Sequence, residues 1–254
     1  MLRLKWSAHS DVGMIRSGNE DNHDSDVNVS RGVFVVADGM GGHAAGEVAS
    51  LMAVQIVMRE LAELREVDDS GKAAARLAES LRIANRSIHD RTVAESDKQG
   101  MGTTASVLVL DDQSYLIGQV GDSRVYLVRD GALIQLTKDH SYVQEQVDAG
   151  FLTPEQAKYH PYSNVITRCV GASHDVEPDV FRGDAKVGDV FLVASDGLTG
   201  MVDDRRIQTL LMSRAEPERK VNSLISEANG RGGLDNITAI VVHVVGPEEP
   251  AAEP

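Results

Sequence analysis

Four aspartates stand at the ends of apolar runs with glycine adjacent or close by: Asp38 in VFVVADGMGGH, Asp122 in QVGDSR, Asp196 in FLVASDG and Asp235 in GGLDN. A carboxylate at the end of a buried strand is costly unless it is paired or bound to metal. Taken singly, Asp38 reads as a strand ending in an Asp-Gly turn. Recurrence changes the reading. Several strand-end carboxylates can converge at one edge of a sheet, where they repel one another unless cations sit among them. The polar stretch Gly13–Asp26, GMIRSGNEDNHDSD, adds Arg16, Glu20 and Asp21. It is either a solvated acidic loop or a loop that presents an anion-binding arginine beside a cation-binding carboxylate. The donors are hard oxygens, with no cysteine cluster and no HExxH or HxxxH pair. Such a set selects Mg²⁺ or Mn²⁺ over Zn²⁺.

A multi-carboxylate divalent centre with one nearby arginine points to phosphoryl chemistry. Two ions about 3.5–4 Å apart can bridge a water, lower its pKa and orient it for in-line attack. Arg16 would then hold two phosphate oxygens in a fork. No serine nucleophile elbow or cysteine phosphate loop is present, so no covalent phosphoenzyme is expected. GxGxxG and GxxxxGK[ST] are absent too, which weighs against a nucleotide-binding kinase or ATPase.

The chain has 254 residues, 42% of them hydrophobic, enough for an ample core. Its formal charge of −14 argues against nucleic acid as a partner, because phosphate backbones select basic faces. No apolar run approaches the roughly 20 residues of a membrane span, and MLRLKWSAHS lacks the apolar core of a signal peptide. The single cysteine, Cys169, cannot form an internal disulfide and fits a reducing, cytoplasmic setting. It reads as a small core residue. Oligomeric state leaves no mark in the sequence.

The elements that must position these groups follow from periodicity and punctuation. Residues 2–9 and 12–16 are strand-like, and 33–37 is a buried strand. Ala44–Leu64 and Lys72–Ala94 read as helices, the second with Ala73, Leu77, Leu81, Ala84 and Ile88 on one stripe. Ala105–Leu110, Ser114–Val120 and Arg124–Val128 read as an antiparallel meander joined by tight turns. Residues 131–136, 164–168, 178–183 and 189–194 read as further strands, and Ile237–Val245 as the last. Helices are expected over Tyr142–Asp148, after the Thr153-Pro154 cap, over Asp203–Met212 with Asp203 or Asp204 as cap, and over Pro217–Ala228. The polar segment 140–163 is a candidate mobile flap over a site. Residues 1–246 read as one α+β domain, antiparallel sheets covered by helices. Residues 247–254 form a Pro/Glu-rich tail expected to be disordered.

The blocks G-x-x-R-x-x-NED at Gly13–Asp21, ADGMGGH at Ala37–His43, GTT at Gly102–Thr104, GDSR at Gly121–Arg124, LTKDHS at Leu136–Ser141, NVITRCVG at Asn164–Gly171, SDGL at Ser195–Leu198 and GGLDNIT at Gly232–Thr238 stand in one order along nearly the whole chain. In this the chain resembles the metal-dependent protein serine/threonine phosphatases of the protein phosphatase 2C type, in their compact bacterial form. The resemblance implies a four-layer α/β/β/α sandwich, two central antiparallel sheets flanked by helix pairs. It implies that Asp38 bridges two core Mn²⁺ or Mg²⁺ ions, with the Gly39 carbonyl and Glu20 at one and Asp196 and Asp235 at the other. Asp122, with Asp196, would hold a weaker third ion, and Arg16 the substrate phosphate. Animal members carry histidine directly after Asp-Gly as proposed general acid; that position is Met40, and His43, three residues on, is the alternative donor or a plain helix-start residue. The implied substrates are phosphorylated proteins, including a bacterial Ser/Thr kinase and its targets. A dedicated phosphatase of an anti-sigma-factor antagonist and a non-catalytic regulatory module of the same fold are the alternatives.

Overall fold

Alternate residues of the run Val33–Ala37 face different layers. They lie in β3 (Gly32–Met40). Val33, Val35 and Ala37 pack in one cluster with Ala53, Val57, Leu77 and Leu81 from helices α1 (Ala45–Leu61) and α2 (Lys72–Ala94). Phe34 and Val36 pack the other way, against Val193, Ile240 and Val242 of a second sheet. A strand buried on both faces is apolar throughout, as this one is. The computed structural model describes residues 2–28, 31–41, 45–64, 67 and 71–246. His43, Ala44 and the tail 247–254 lie outside them.

Two antiparallel sheets result. One runs β2-β3-β5-β6-β9, built from β2 (Asp21–Val27), β3, β5 (Ala105–Leu110), β6 (Ser114–Val120) and β9 (Asp179–Asp184), with β4 (Gly102–Thr103) paired to the end of β3. The other runs β1-β11-β10-β7-β8, from β1 (Arg3–Asp11), β11 (Ile237–Val245), β10 (Val190–Ala194), β7 (Arg124–Arg129) and β8 (Ala132–Gln135). Its outer face is covered by α5 (Asp196–Thr199), α6 (Asp204–Leu211) and α7 (Pro217–Gly230) through Leu198, Ile207, Leu211, Val221 and Leu224. The layers are therefore helix pair, sheet, sheet, helices, with a core in each of the three seams. Asp203 caps α6 by accepting from the Arg206 amide at 3.0 Å. The flap folds as α3 (Tyr142–Asp148) and α4 (Pro154–Lys158), the latter with a Thr153/Gln156 capping box.

Several expectations need correction. The meander does not exist as such: β5 and β6 pair, but β7 crosses into the opposite sheet and pairs with β10 and β8. Gly121, at φ +102°, supplies the left-handed turn that redirects the chain between sheets. Residues 12–16 are not a strand. The strand next to β3 is instead the polar DNHDSDV of β2, whose aspartates and asparagine are poor strand formers. β3 supplies its ladder, and tertiary pairing overrides composition. Residues 164–168 make isolated bridges, Ser141 with Ile166 and, just beyond, Thr103 with Val170. Cys169 is half-buried, not deep core; a Cβ on Gly102 would lie 3.4 Å from its Sγ. Among the described residues no helix is long and apolar enough to cross a membrane.

Phe34 lies wholly buried between the sheets, with the Trp6 ring 5.9 Å away edge-on. Phe34→Ala should lower unfolding free energy by about 3–5 kcal/mol, and Tyr159→Ala, on the exposed flap, by less than about 0.5 kcal/mol. Urea titration followed by circular dichroism measures both.

Candidate metal centre

The parity that sends Phe34 and Val36 into the inter-sheet seam sends Asp38 to the same face, at the seam's end. In the antiparallel register Asp21 stands opposite Asp38, which puts two carboxylates side by side. Across the seam, β10 runs into Ser195-Asp196, and its partner β11 starts just after Asp235-Asn236. The two turns touch: a Cβ on Gly197 would lie 1.9 Å from the Asn236 carbonyl oxygen. Asp122 sits in the turn after β6, beside Thr104 at the start of β5. Five aspartates thus share one end of the sandwich.

The backbone around them is fixed by buried polar side chains. Thr104 Oγ1 accepts from the Asp38 amide at 2.9 Å and bonds Ser123 Oγ at 2.7 Å. Thr103 Oγ1 donates to the Asp38 carbonyl at 2.9 Å. Asn236 pins the Arg16–Glu20 loop. Its Nδ2 donates to the carbonyls of Val12 and Gly18, each at 2.9 Å, and its Oδ1 accepts from the Glu20 amide at 2.8 Å. Arg16 Nη2 meets Asp235 Oδ2 at 2.6 Å, with half of its side chain exposed. The Glu20 carboxylate lies over the first turn of α1; a Cβ on Gly46 would fall 2.7 Å from Glu20 Oε2. Gly39 is wedged between the Gly46 and Glu20 carbonyl oxygens, where a Cβ would come within 2.2 and 2.6 Å.

This crowding of carboxylates shows in their proton affinities. Burial, then the charges of Asp21, Asp196 and Asp122, hold Asp38 well above the usual carboxylate range. Burial first, then Asp196 and Asp139, push Asp122 up to about 8. Burial pushes Asp21 up to about 6 against the opposing hydrogen bonds of Thr238 and Ser195. Asp196 and Glu20 are raised, burial again the largest cause in each. Two buried oxygens, Asp21 Oδ1 and Asp122 Oδ1, have no hydrogen-bond partner. Buried polar atoms left unmatched are expensive and mark sites of strain or function.

The donor set suits hard divalent cations, which would match the orphaned oxygens and relieve the repulsion. Among the described residues no three of these side chains surround one point as a preformed cage. Asp38 and Asp196 instead share a hydrogen bond, and Asp235 is taken by Arg16. Two depressions, one lined by Leu152, Tyr159 and Pro161 on the flap and one between α6 and α7, lie away from the aspartates.

Arg16, Glu20, Asp38, Gly39, Asp122, Asp196 and Asp235 are thus brought to one end of the molecule. Sequence reasoning gave no role to Asp21, Asn236 or Thr104. Only the register of β2 on β3 reveals Asp21, and that strand was hidden by its polar composition. Met40 ends β3 with its Cγ 3.7 Å from where a Gly102 Cβ would stand.

Residues 9–228 match the family model described as protein phosphatase 2C. The serine/threonine protein phosphatase PstP of Mycobacterium tuberculosis is 40% identical over 96% of this chain, which spans 46% of that protein's length. Protein phosphatase PhpP of Streptococcus pneumoniae is 39% identical, covering 94% of this chain and 97% of its own. The crystal structure of the PstP catalytic domain in complex with two manganese ions superposes with a TM-score of 0.82 at 39% identity, over 97% of this chain and 100% of that one. Match and fold agree along almost the whole sandwich, and the chain belongs to the protein phosphatase 2C family.

Proposed function

We propose that this chain is a Mn²⁺- or Mg²⁺-dependent protein serine/threonine phosphatase whose catalytic unit is residues 1–246. The observation that carries it is the gathering of five aspartates at the end of the inter-sheet seam, two with orphaned buried oxygens, next to Arg16. Asp38 would bridge two ions, with the Gly39 carbonyl and Glu20 at one and Asp196 and Asp235 at the other. Asp122, with Asp196, would hold a third. Asp21, opposite Asp38, supplies further negative charge to the same cluster.

When bound, the ions supply an activated water and neutralise phosphoryl charge. The chain's own residues do the rest. Arg16 exchanges Asp235 for two phosphate oxygens and fixes the phosphorus for in-line displacement. Thr104 and Asn236 hold the backbone of the Asp38 strand and the Arg16 loop in place, so the adjustment is confined to side chains. Ser195 Oγ, which stands among the aspartates, donates to Asp21 Oδ2 at 2.8 Å and accepts from the Thr238 amide at 3.0 Å, so its hydroxyl is already committed, which supports direct hydrolysis. The relatives' names support phosphoserine and phosphothreonine proteins as substrates; we extend this to a bacterial Ser/Thr kinase and its targets and to a cytoplasmic setting. A non-catalytic binding module would have no use for so costly a cluster of carboxylates.

Manganese-dependent hydrolysis of p-nitrophenyl phosphate and of a phosphothreonine peptide should be measurable, and lost in Asp38→Ala and Asp196→Ala. Absence of turnover of either substrate with Mn²⁺ or Mg²⁺ would overturn the reading. Arg16→Ala should raise KM about 10- to 100-fold, the worth of a charged hydrogen bond at ~1.5–3 kcal/mol, while calorimetric Mn²⁺ affinity stays close to wild type. Asp122→Ala should lower kcat with two ions still bound in the same titration.

The sign of the pH dependence follows from the raised carboxyls. In metal-free protein, Asp21 and Asp122 hold protons up to about 6 and about 8, which the unfolded chain releases near 3.8. The folded state binds more protons over that range, so their contribution to stability is present in acid and lost as pH rises through about 6 and then about 8. The melting temperature of EDTA-treated protein should therefore fall between those values, and Mn²⁺ should restore it at the alkaline end. Cations must also displace those protons, so activity at subsaturating Mn²⁺ should rise over the same interval.

A further inference from the structure

The block LTKDHS, Leu136–Ser141, takes no part in the proposed ion ligation, yet it grips the turn that carries Asp122. The His140 amide donates to the Gly121 carbonyl at 2.9 Å, and the Gly121 amide donates back to His140 Nδ1 at 3.0 Å. The imidazole is buried, 6% exposed. The neighbouring Asp139 holds Arg124, at the other end of the same turn, at 2.6 Å. Gly121 itself has no latitude: its φ is +102°, and a Cβ would lie 2.6 Å from Thr104.

Because Nδ1 accepts from an amide, the proton of the neutral ring must sit on Nε2. Nε2 faces Asp179 Oδ2 at 3.2 Å; Asp179 Oδ1 accepts from Arg168 Nη1 at 2.8 Å, and that same Nη1 stands 3.0 Å from Nε2, so the acid lies between two donors. Arg168 and Thr167 belong to the segment that returns from the flap, and the Thr167 amide donates to the His140 carbonyl at 2.8 Å. The two ring nitrogens thus point to two parts of the molecule. One meets the Asp122 turn, the other the acid that anchors the flap's return.

We propose that His140 is a positioning residue: its Nδ1 sets the turn that aims Asp122 into the carboxylate centre, and its Nε2–H ties that turn through Asp179 to the base of the flap. The inference rests on the reading of Asp122 as a functional carboxylate. It gives the flap a path to the chemistry that does not require any flap side chain to touch the substrate.

Two amide substitutions separate the two nitrogens. An asparagine oxygen can occupy the place of Nδ1 and accept from Gly121, but does not reach Asp179. A glutamine reaches toward Asp179 and leaves the Gly121 amide without its acceptor. His140→Gln should lower kcat for p-nitrophenyl phosphate about 10- to 100-fold, the usual cost of losing a group that orients a ligand. It should also raise the Mn²⁺ concentration for half-maximal turnover, with two tight ions still seen by calorimetry. His140→Asn should recover most of that kcat. Asp179→Asn should leave kcat and the Mn²⁺ profile for the small ester unchanged and raise KM for a phosphothreonine peptide. Equal loss in the asparagine and glutamine variants, no loss in either, or an Asp179→Asn defect on the small ester equal to that of His140→Gln would each overturn the proposal. Should His140→Gln fail to fold, a folded His140→Asn with the low kcat expected of glutamine overturns it, and one with near wild-type kcat supports it. Inactive wild-type protein would instead overturn the phosphatase reading itself.

Discussion

Repulsion among five aspartates at one end of a seam is the constraint around which this molecule is arranged. Asp38 and Asp21 pair within the β2–β3 ladder, and Asp122, Asp196 and Asp235 sit in the turns at strand ends, so none can move far from the others. Burial raises Asp38, Asp196, Asp21 and Asp122 together, and the charges of neighbouring aspartates add to it. A cluster of this kind is stable only when protons or cations share it. The fold supplies the stability to hold it: three apolar seams, two between sheet and helices and one between the sheets, surround the strands that carry the charge.

Close approach of backbone turns is the second requirement, and glycine meets it. Gly197 brings the SDG turn against the Asn236 carbonyl, which sets Asp196 beside Asp235. Gly39 and Gly46 let β3 and α1 meet across the Glu20 loop with no room for a methyl group between them. The polar residues beside these glycines are not ligand candidates. Thr104 and Asn236 spend their hydrogen bonds on backbone amides and carbonyls, and Ser123 Oγ bonds Thr104 Oγ1, so loops of irregular shape are held as firmly as strands.

Much of this was legible in the sequence, for a physical reason. Long periodic segments announce themselves: α2 spans Lys72–Ala94 and β11 Ile237–Val245, as the apolar stripe and run required. The centre was legible because an aspartate at the end of an apolar run recurs, twice followed directly by glycine, at Asp38 and Asp196. Asp21 was not, because its strand is built of Asp, Asn, His and Ser and takes its shape from β3. The crossing from β6 to β7 was hidden as well. A tight Gly-Asp-Ser join fits a hairpin as well as a change of sheet, and only packing decides which. The short helix α5 escaped because four residues carry no measurable period.

The same geometry separates chemistry from recognition. The carboxylates and Arg16 occupy strand ends and a loop pinned by Asn236. The flap exposes Phe151, Tyr159 and Tyr162, with the rings of Tyr142, His160 and Tyr162 in mutual tilted and T-shaped contact at 5.6 to 5.9 Å. Large apolar side chains in solvent cost the fold little to exchange, whereas a change at Gly39, Gly197 or Thr104 moves a carboxylate. A chain built this way can alter the surface that meets a protein substrate without disturbing the centre. The two remain mechanically connected, because the flap's return and the Asp122 turn meet on opposite nitrogens of one buried imidazole.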